Sequence, residues 1–301
     1  MTTLAARALL VTLIDYAGLF PPAELPMAEA VSAYAAARSG REAWMLGRFV
    51  LPLARLEEFE RAAGALPGGR APTAWPLSVI GSGDGRADAA TIAAFNGPRD
   101  DAARPDARIE AIEMRVDGPR AVAGAADLAG GLAERFFELD ISSDPSATLA
   151  AVARAGGRAK VRTGGVTADR FPSVGELARF LESCAAARVA FKATAGLHHP
   201  LRSAHAPTGD GRSQPVVMHG FLNVMLAAAL AFDGGARAAD LEPVLAEPSP
   251  AAFAFDAAGV VVKGRRLTVE ALASARRSFA LSFGSCSFDD PVSELKALGI
   301  L

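Results

Sequence analysis

Lysine is scarce in this chain. Of 31 basic residues only four are lysines, Lys160, Lys192, Lys263 and Lys296, and the rest are arginines. A position that needs only positive charge is filled here by arginine. A retained lysine therefore points to an amine that can lose its proton, which a guanidinium cannot do. Histidine is equally sparse, and all four (His198, His199, His205 and His219) fall in one stretch. The two cysteines, Cys184 and Cys286, give no disulfide framework. With a net charge of −2 and no basic run, nucleic-acid binding is disfavoured. The opening apolar run is interrupted by Asp15 and carries only Arg7 as a basic flank. It predicts neither a signal peptide nor a membrane span, and a cytoplasmic protein is expected. No internal repeat and no low-complexity linker is visible.

What is present is a large apolar fraction, 51% of 301 residues, enough for a sizeable core. Strand-like and helix-like stretches alternate from end to end. Strands are expected near 9–14 (LLVTLI), 44–51, 76–81, 109–116 (IEAIEMRV), 135–141 (RFFELDI), 159–163 (AKVRT), the start of 189–199 (VAFKATAGLHH), and 279–285 (FALSFGS). Helices are expected near 27–38, 54–65, 87–95, 119–134 and 174–188, with a closing helix from about 291. Ser143 or Asp144 can cap the helix after the fifth strand. Eight strand–helix units over about 300 residues predict an α/β fold, a (β/α)8 TIM barrel spanning 1–301 as a single domain. Extra chain at about 220–277, between units seven and eight, holds an apolar helix (FLNVMLAAALAF) and a hairpin expected to turn at Ala258–Gly259. It reads as an insertion on the barrel.

The later strands carry charge on one face. Alternation sets Glu113, Arg115 and Asp117 opposite Ile112, Met114 and Val116. In the same way Glu138 and Asp140 oppose Phe137, Leu139 and Ile141, and Lys160 and Arg162 oppose Val161. Lys192 and Thr194 oppose Phe191 and Ala193. The apolar faces should meet the outer helices, so the charged faces should point into the barrel. Such an interior is either a neutralised ion-pair lattice or an active site fed from the C-terminal ends of several strands. Lys263 and Lys296 read as surface residues.

Lysines on the sixth and seventh strands, with a Gly-Ser turn closing the eighth, resemble the class I aldolase barrels, in particular the deoxyribose-phosphate aldolase-like group. The segments that carry the resemblance are AKVRTGG around Lys160, FKATAGL around Lys192 and SFGSCSF around Gly284. The resemblance implies a Schiff base on Lys160, tuning of that amine by Lys192, and a ligand-holding turn at Gly284 and Ser285. Glu138 or Asp140 is placed to move protons. Glu113, Arg115, Arg162, Thr194 and His219 join Gly284 and Ser285 as candidate substrate contacts. The long histidine-bearing loop and the hairpin depart from that group.

The histidines support a competing reading. His198, His199, His205 and His219 with Glu138 or Asp140 could hold a divalent metal, although their spacing matches no standard ligand motif. Acid–base work by His198 or His199, or plain anchoring of the loop, are the other uses. No cofactor is expected otherwise. Cys286 reads as packing, GSGDG near Gly81 as a strand-end loop, and LFPP near Phe20 as a rigid loop, with Asp15 and Tyr16 expected at the catalytic end of the first strand. The leading expectation is a lyase of aldolase type acting on a small oxygenated carbonyl compound. A metal-assisted lyase, isomerase or hydrolase is the second reading, and a non-catalytic metabolite-binding barrel the third. Nothing in the sequence sets an oligomeric state.

Overall fold

A computed structural model describes residues 2–66, 74–98, 105–128, 134–208 and 213–301. Eight parallel strands close into a barrel: β1 Ile14–Tyr16, β2 Leu46–Pro52, β3 Trp75–Ile80, β4 Ala107–Arg115, β5 Glu134–Leu139, β6 Arg158–Arg162, β7 Phe191–Thr194 and β8 Ala280–Ser285. Each pairs with its sequence neighbours, and β8 closes on β1 through Ile14↔Phe283, Asp15↔Gly284 and Tyr16↔Ser285. This is the (β/α)8 topology expected.

The first element departs from expectation. Residues 4–10 form the helix Leu4–Leu10, capped where Thr3 Oγ1 accepts from the Ala6 amide at 3.1 Å. The strand begins only at Ile14. A short apolar run does not distinguish a buried helix from a strand. Here the Ala- and Leu-rich composition and the Thr3 cap favour helix. The buried Arg276 ties this segment to β8. Its guanidinium donates to the carbonyls of Leu9, Val11, Ala280 and Leu281.

The outward faces of the strands bury aromatic and branched side chains under the helices. Phe191 meets Phe180 and Phe279 edge-on at 5.5 and 5.3 Å between centroids. On the opposite side Tyr34, Phe49, Phe59 and Trp75 form one cluster, with Tyr34–Trp75 at 4.8 Å. Each such fully buried ring contributes about 1.5–3 kcal/mol.

The predicted helix at 119–134 is described as Pro119–Leu128; residues 129–133 lie outside the described residues, and Glu134 already belongs to β5. Between β7 and β8 the chain forms the pair Ser203–His205 and Val216–Met218, the helices Phe221–Gly234 and Ala238–Leu245, and a three-stranded sheet. That sheet comprises Phe253–Phe255, Gly259–Val262 and Arg265–Thr268. Phe221–Gly234 is buried along most of its length, and Phe221 stacks on Phe283 of β8. The hairpin turn read at Ala258–Gly259 is thus one of two turns, because Lys263–Gly264 reverses the chain again. Among the described residues no helix is long and apolar enough to cross a membrane.

Candidate functional site

Two layers of charge fill the barrel interior. The lower one is a closed lattice near the N-terminal ends of the strands. Arg48 pairs with Glu110 at 3.0 Å and with Glu134 at 2.9 Å, and Arg158 reaches Glu134 at 3.3 Å. Together with Asp15, Arg276 and Ser282 these residues line a cavity of about 640 Å3. It lies at the end of the barrel where conserved chemistry is not normally built.

The upper layer is a chain of alternating charges. Strand register aligns Glu138, Lys160 and Lys192 across β5, β6 and β7, and sets Ser282 of β8 beside Lys192. Lys192 Nζ donates to Asp15 Oδ2 and to Glu113 Oε1, each at 2.6 Å. Lys160 Nζ lies 2.8 Å from Glu113 Oε2 and 2.7 Å from Glu138 Oε2. Arg162 closes the chain on Glu138 Oε1 at 3.4 Å. The Ser282 and Ser78 hydroxyls donate to Asp15 and Glu113 at 2.7 Å each, and the Arg48 amide donates to Asp15 Oδ1 at 2.9 Å. Lys192 Nζ also stands 5.3 Å from the centroid of the Phe136 ring. Three carboxylates and three cations balance, so the chain is neutral as a unit.

The field inside this chain is strongly directional. Burial raises the Glu113 carboxyl, but Lys160 and Lys192 outweigh it and hold Glu113 far below the usual carboxylate range. Glu138 follows the same balance, burial being outweighed by Lys160 and Arg162. Burial lowers the Lys192 amine, and Asp15 and Glu113 more than reverse it, so Lys192 is raised and stays an ammonium. It therefore acts on Lys160 mainly through the carboxylate they share, Glu113.

A cavity of about 550 Å3 opens at the C-terminal ends of the strands. Lys160, Lys192, Glu113 and Glu138 line its floor, and Arg115, Arg162, Thr194, His198 and Gly284 line it higher up. The loops after β6 and β7 form one wall. They approach so closely at Gly164 and Gly196 that a Cβ on either would lie 2.8 Å from the other's Cα. The buried Thr163 hydroxyl locks them together by donating to the Ala195 carbonyl at 2.5 Å.

Of the residues singled out from sequence, Lys160, Lys192, Glu113, Glu138, Arg115, Arg162, Thr194, His198 and Gly284 converge on this cavity. Asp140, His199, His219 and Ser285 do not line it. Asp140 is exposed beyond the end of β5, where its Oδ1 accepts from the Ser142 amide at 2.9 Å. Asp117 likewise falls past the end of β4 and is exposed. His199 pairs through Nδ1 with Glu294 at 2.6 Å and stacks on His205. His219 is fully buried, with Nε2 2.7 Å from the Pro172 carbonyl and Nδ1 3.2 Å from Arg202 Nη1. A carbonyl only accepts, so Nε2 carries the proton and Nδ1 accepts from Arg202. His219 is a loop anchor. Ser285 sits behind the wall, its hydroxyl 3.5 Å from His198 Nδ1.

Asp15, Ser78, Ser282, Arg170 and Cys286 were not assigned to the site from sequence. The sequence places Asp15 past the end of the first strand, at its catalytic end; β1 instead spans Ile14–Tyr16, so Asp15 lies within the pleat and reaches Lys192. Cys286 lines the cavity with its Sγ 3.8 Å from His198 Nδ1. Burial lowers the His198 imidazole to about 4 and raises the Cys286 thiol, so both are neutral at pH 7. Among the described residues no group of three or more His, Cys, Asp or Glu side chains is disposed to share a metal ion. In comparisons with known proteins, no family model and no curated protein matches the chain.

Proposed function

We propose that this barrel is a lyase of aldolase type, with Lys160 as the amine that forms an imine with a small carbonyl substrate. The observation that carries the proposal is the placement of Lys160. It lies on the floor of an open cavity with Glu138 Oε2 at 2.7 Å, within proton-transfer distance, while Lys192 is pinned as an ammonium behind it. Only a neutral amine attacks a carbonyl. Transfer of the Lys160 proton to Glu138 frees the lone pair, and the proton then protonates the carbinolamine oxygen, which departs as water. The resulting iminium draws in the electron pair of the Cα–Cβ bond as that bond breaks, leaving an enamine on Lys160. A base at the cavity, Glu138 or the neutral His198, takes the hydroxyl proton from the departing aldehyde fragment. Return of a proton to Cα and attack of water on the imine then release the second fragment and the free amine. The ammonium of Lys192 keeps Glu113 ionised through the cycle. The resemblance of the Lys160, Lys192 and Gly284 segments to the deoxyribose-phosphate aldolase-like group supports the same roles.

A second reading rests on the ion pairs themselves. Both interior lysines already have carboxylate partners, which suits a metabolite-binding barrel whose charge chain is purely structural. Borohydride trapping separates the two. The protein is incubated with a panel of small aldehydes and ketones, reduced, digested and read by mass spectrometry. The lyase reading expects a reduced adduct on Lys160 that is absent in Lys160→Arg, a variant that keeps the charge and the pairing but not the nucleophile. An adduct on Lys192 alone exchanges the two roles. The absence of any adduct, or labelling confined to the exposed Lys263 and Lys296, sinks the lyase reading.

A further inference from the structure

The walls of the upper cavity divide by chemistry. Above the charged floor the lining is apolar, with Phe20, Val50, Ile80, Val166, Phe171 and Met218 among it. Val166 is 44% exposed, so part of this apolar surface faces solvent when the cavity is empty. Three arginines, Arg115, Arg162 and Arg170, also line the cavity, and their side chains are 80, 44 and 61% exposed. With Lys160 and Lys192 they make five cations against two carboxylates, Glu113 and Glu138, among the lining residues.

Both of those carboxylates are already committed to the lysines, so the surplus of positive charge belongs to the arginines. Among the described residues the ion-pair partners of Arg115 and Arg170 are distant, Asp117 at 3.8 Å and Asp169 at 3.9 Å, and themselves 90 and 77% exposed, with Asp140 also near enough to feel the charge of Arg115. Such pairs contribute little and are readily exchanged. Arg162 shares Glu138 with Lys160 and makes the longer contact, 3.4 Å against 2.7 Å. Guanidinium forks suit a planar or tetrahedral oxyanion. The apolar wall beside them is unsuited to a body covered in hydroxyls, each of which would lose water without gaining a partner.

Building on the lyase reading, we infer that the substrate is an apolar-bodied carbonyl compound bearing one acidic group. Its carbonyl carbon meets Lys160, its aryl or branched alkyl body lies against Phe20, Val166 and Phe171, and its acid engages Arg162 with Arg115 or Arg170. A volume of about 550 Å3 accommodates such a molecule.

The test uses probes that lack a carbonyl, so binding is read apart from imine formation. Isothermal calorimetry compares 4-phenylbutyrate, 3-phenylpropyl phosphate, the neutral 4-phenylbutyramide and the polyhydroxylated acid gluconate. The expected result is that both phenyl acids bind at least about tenfold more tightly than the amide and than gluconate. Whichever phenyl acid binds more tightly identifies the acidic group as carboxylate or phosphate. In Arg162→Gln/Arg170→Gln the advantage of acid over amide should disappear. An amide that binds the wild-type protein as well as the acids do, or gluconate binding more tightly than phenylbutyrate, overturns the inference without recourse to any variant. Acid-selective binding combined with no trapping on Lys160 would retain the apolar acid as the ligand of the cavity and remove its carbonyl and the lyase reading. Trapping with no acid preference would do the reverse.

Discussion

Replacing Lys192 by methionine tests the charge chain at its most buried cation. The ammonium is 1% exposed, and its partners Asp15 and Glu113 are each 2% exposed at 2.6 Å. Methionine fills a similar volume but leaves two buried carboxylates without the cation between them, Glu113 keeping Lys160 and Asp15 losing its one ion-pair contact among the described residues. Removing one member of a buried, hydrogen-bonded ion pair costs about 3–5 kcal/mol. With an urea slope of about 3 kcal/mol/M for a chain of this size, the midpoint of unfolding should fall by roughly 1–1.7 M. The pH dependence gives a second reading of the same change. In the native protein Glu113 sits far below its ordinary value, so its contribution is fully present above that value and is lost only as pH falls through the depressed one. It is therefore flat between pH 7 and pH 5. In Lys192→Met a carboxylate stripped of its cation takes up a proton more readily, so the gap between variant and wild type should narrow as pH falls from 7 to 5. Contributions from histidine titrate in both proteins and cancel in the difference. Urea titrations followed by circular dichroism at the two pH values measure both effects. A loss below about 1 kcal/mol at pH 7, or a gap that widens on acidification, would refute the ion-pair account.

The histidines should separate by role. His219→Ala should lower stability by about 1–3 kcal/mol through the unpaired Pro172 carbonyl and Arg202, and should leave the rate of borohydride trapping per folded molecule unchanged. His198→Ala should slow trapping more than it alters the urea midpoint. In the wild-type protein, burial holds both His198 and His219 at about 4, below the unfolded value near 6.5. Their contribution is therefore complete above that unfolded value and is lost as pH falls toward 4, so the urea midpoint should decline across that window; a midpoint that rises there contradicts their burial as neutral rings.

The barrel was legible because its strands carry two signals at once. Apolar residues alternate with charges from β4 to β7, and no open sheet flanked by helices on both faces gives charge an interior to occupy. The same alternation correctly brought Glu113, Glu138, Lys160 and Lys192 to one cavity, since strand register in a parallel barrel keeps inward residues in layers. Asp140 and Asp117 show where the rule ends: alternation was carried past the last paired residue of each strand, and beyond Leu139 and Arg115 the side chains no longer belong to the pleat. The helix at Leu4–Leu10 defeated the apolar-run signal because a short run of Ala and Leu carries too few turns to show a helical period. The histidines defeated proximity in sequence. His198 and His199 are adjacent, yet one lines the cavity and the other turns to Glu294. No spacing rule reports which way a loop residue faces. Arg170 and Cys286 were missed because loop residues gain a role only once the strands have fixed the rim.

Charge inside a barrel is ambiguous between scaffolding and chemistry, and position along the axis separates the two here. Arg48, Glu110, Glu134 and Arg158 repeat the alternation of the upper layer, pair among themselves, and sit at the end where the strands begin. Substituting them should disturb packing and little else. The upper chain differs in its cations: where the lower pairs use Arg48 and Arg158, two of its three cations are lysines. Arginine would serve equally well, or better, if holding carboxylates were the whole task, since its fork satisfies two oxygens at once. In a chain that places arginine nearly everywhere it needs a cation, two of the four positions that keep an amine lie beneath the open cavity. Lys192 is fully enclosed by its partners, whereas Lys160 is the one bordered by Glu138, whose other oxygen is held at 3.4 Å by the partly exposed Arg162 rather than by a buried hydroxyl. The weakest link in the charge chain therefore falls beside Lys160, the amine that the proposed mechanism uses, and the strongest lies behind it at Lys192.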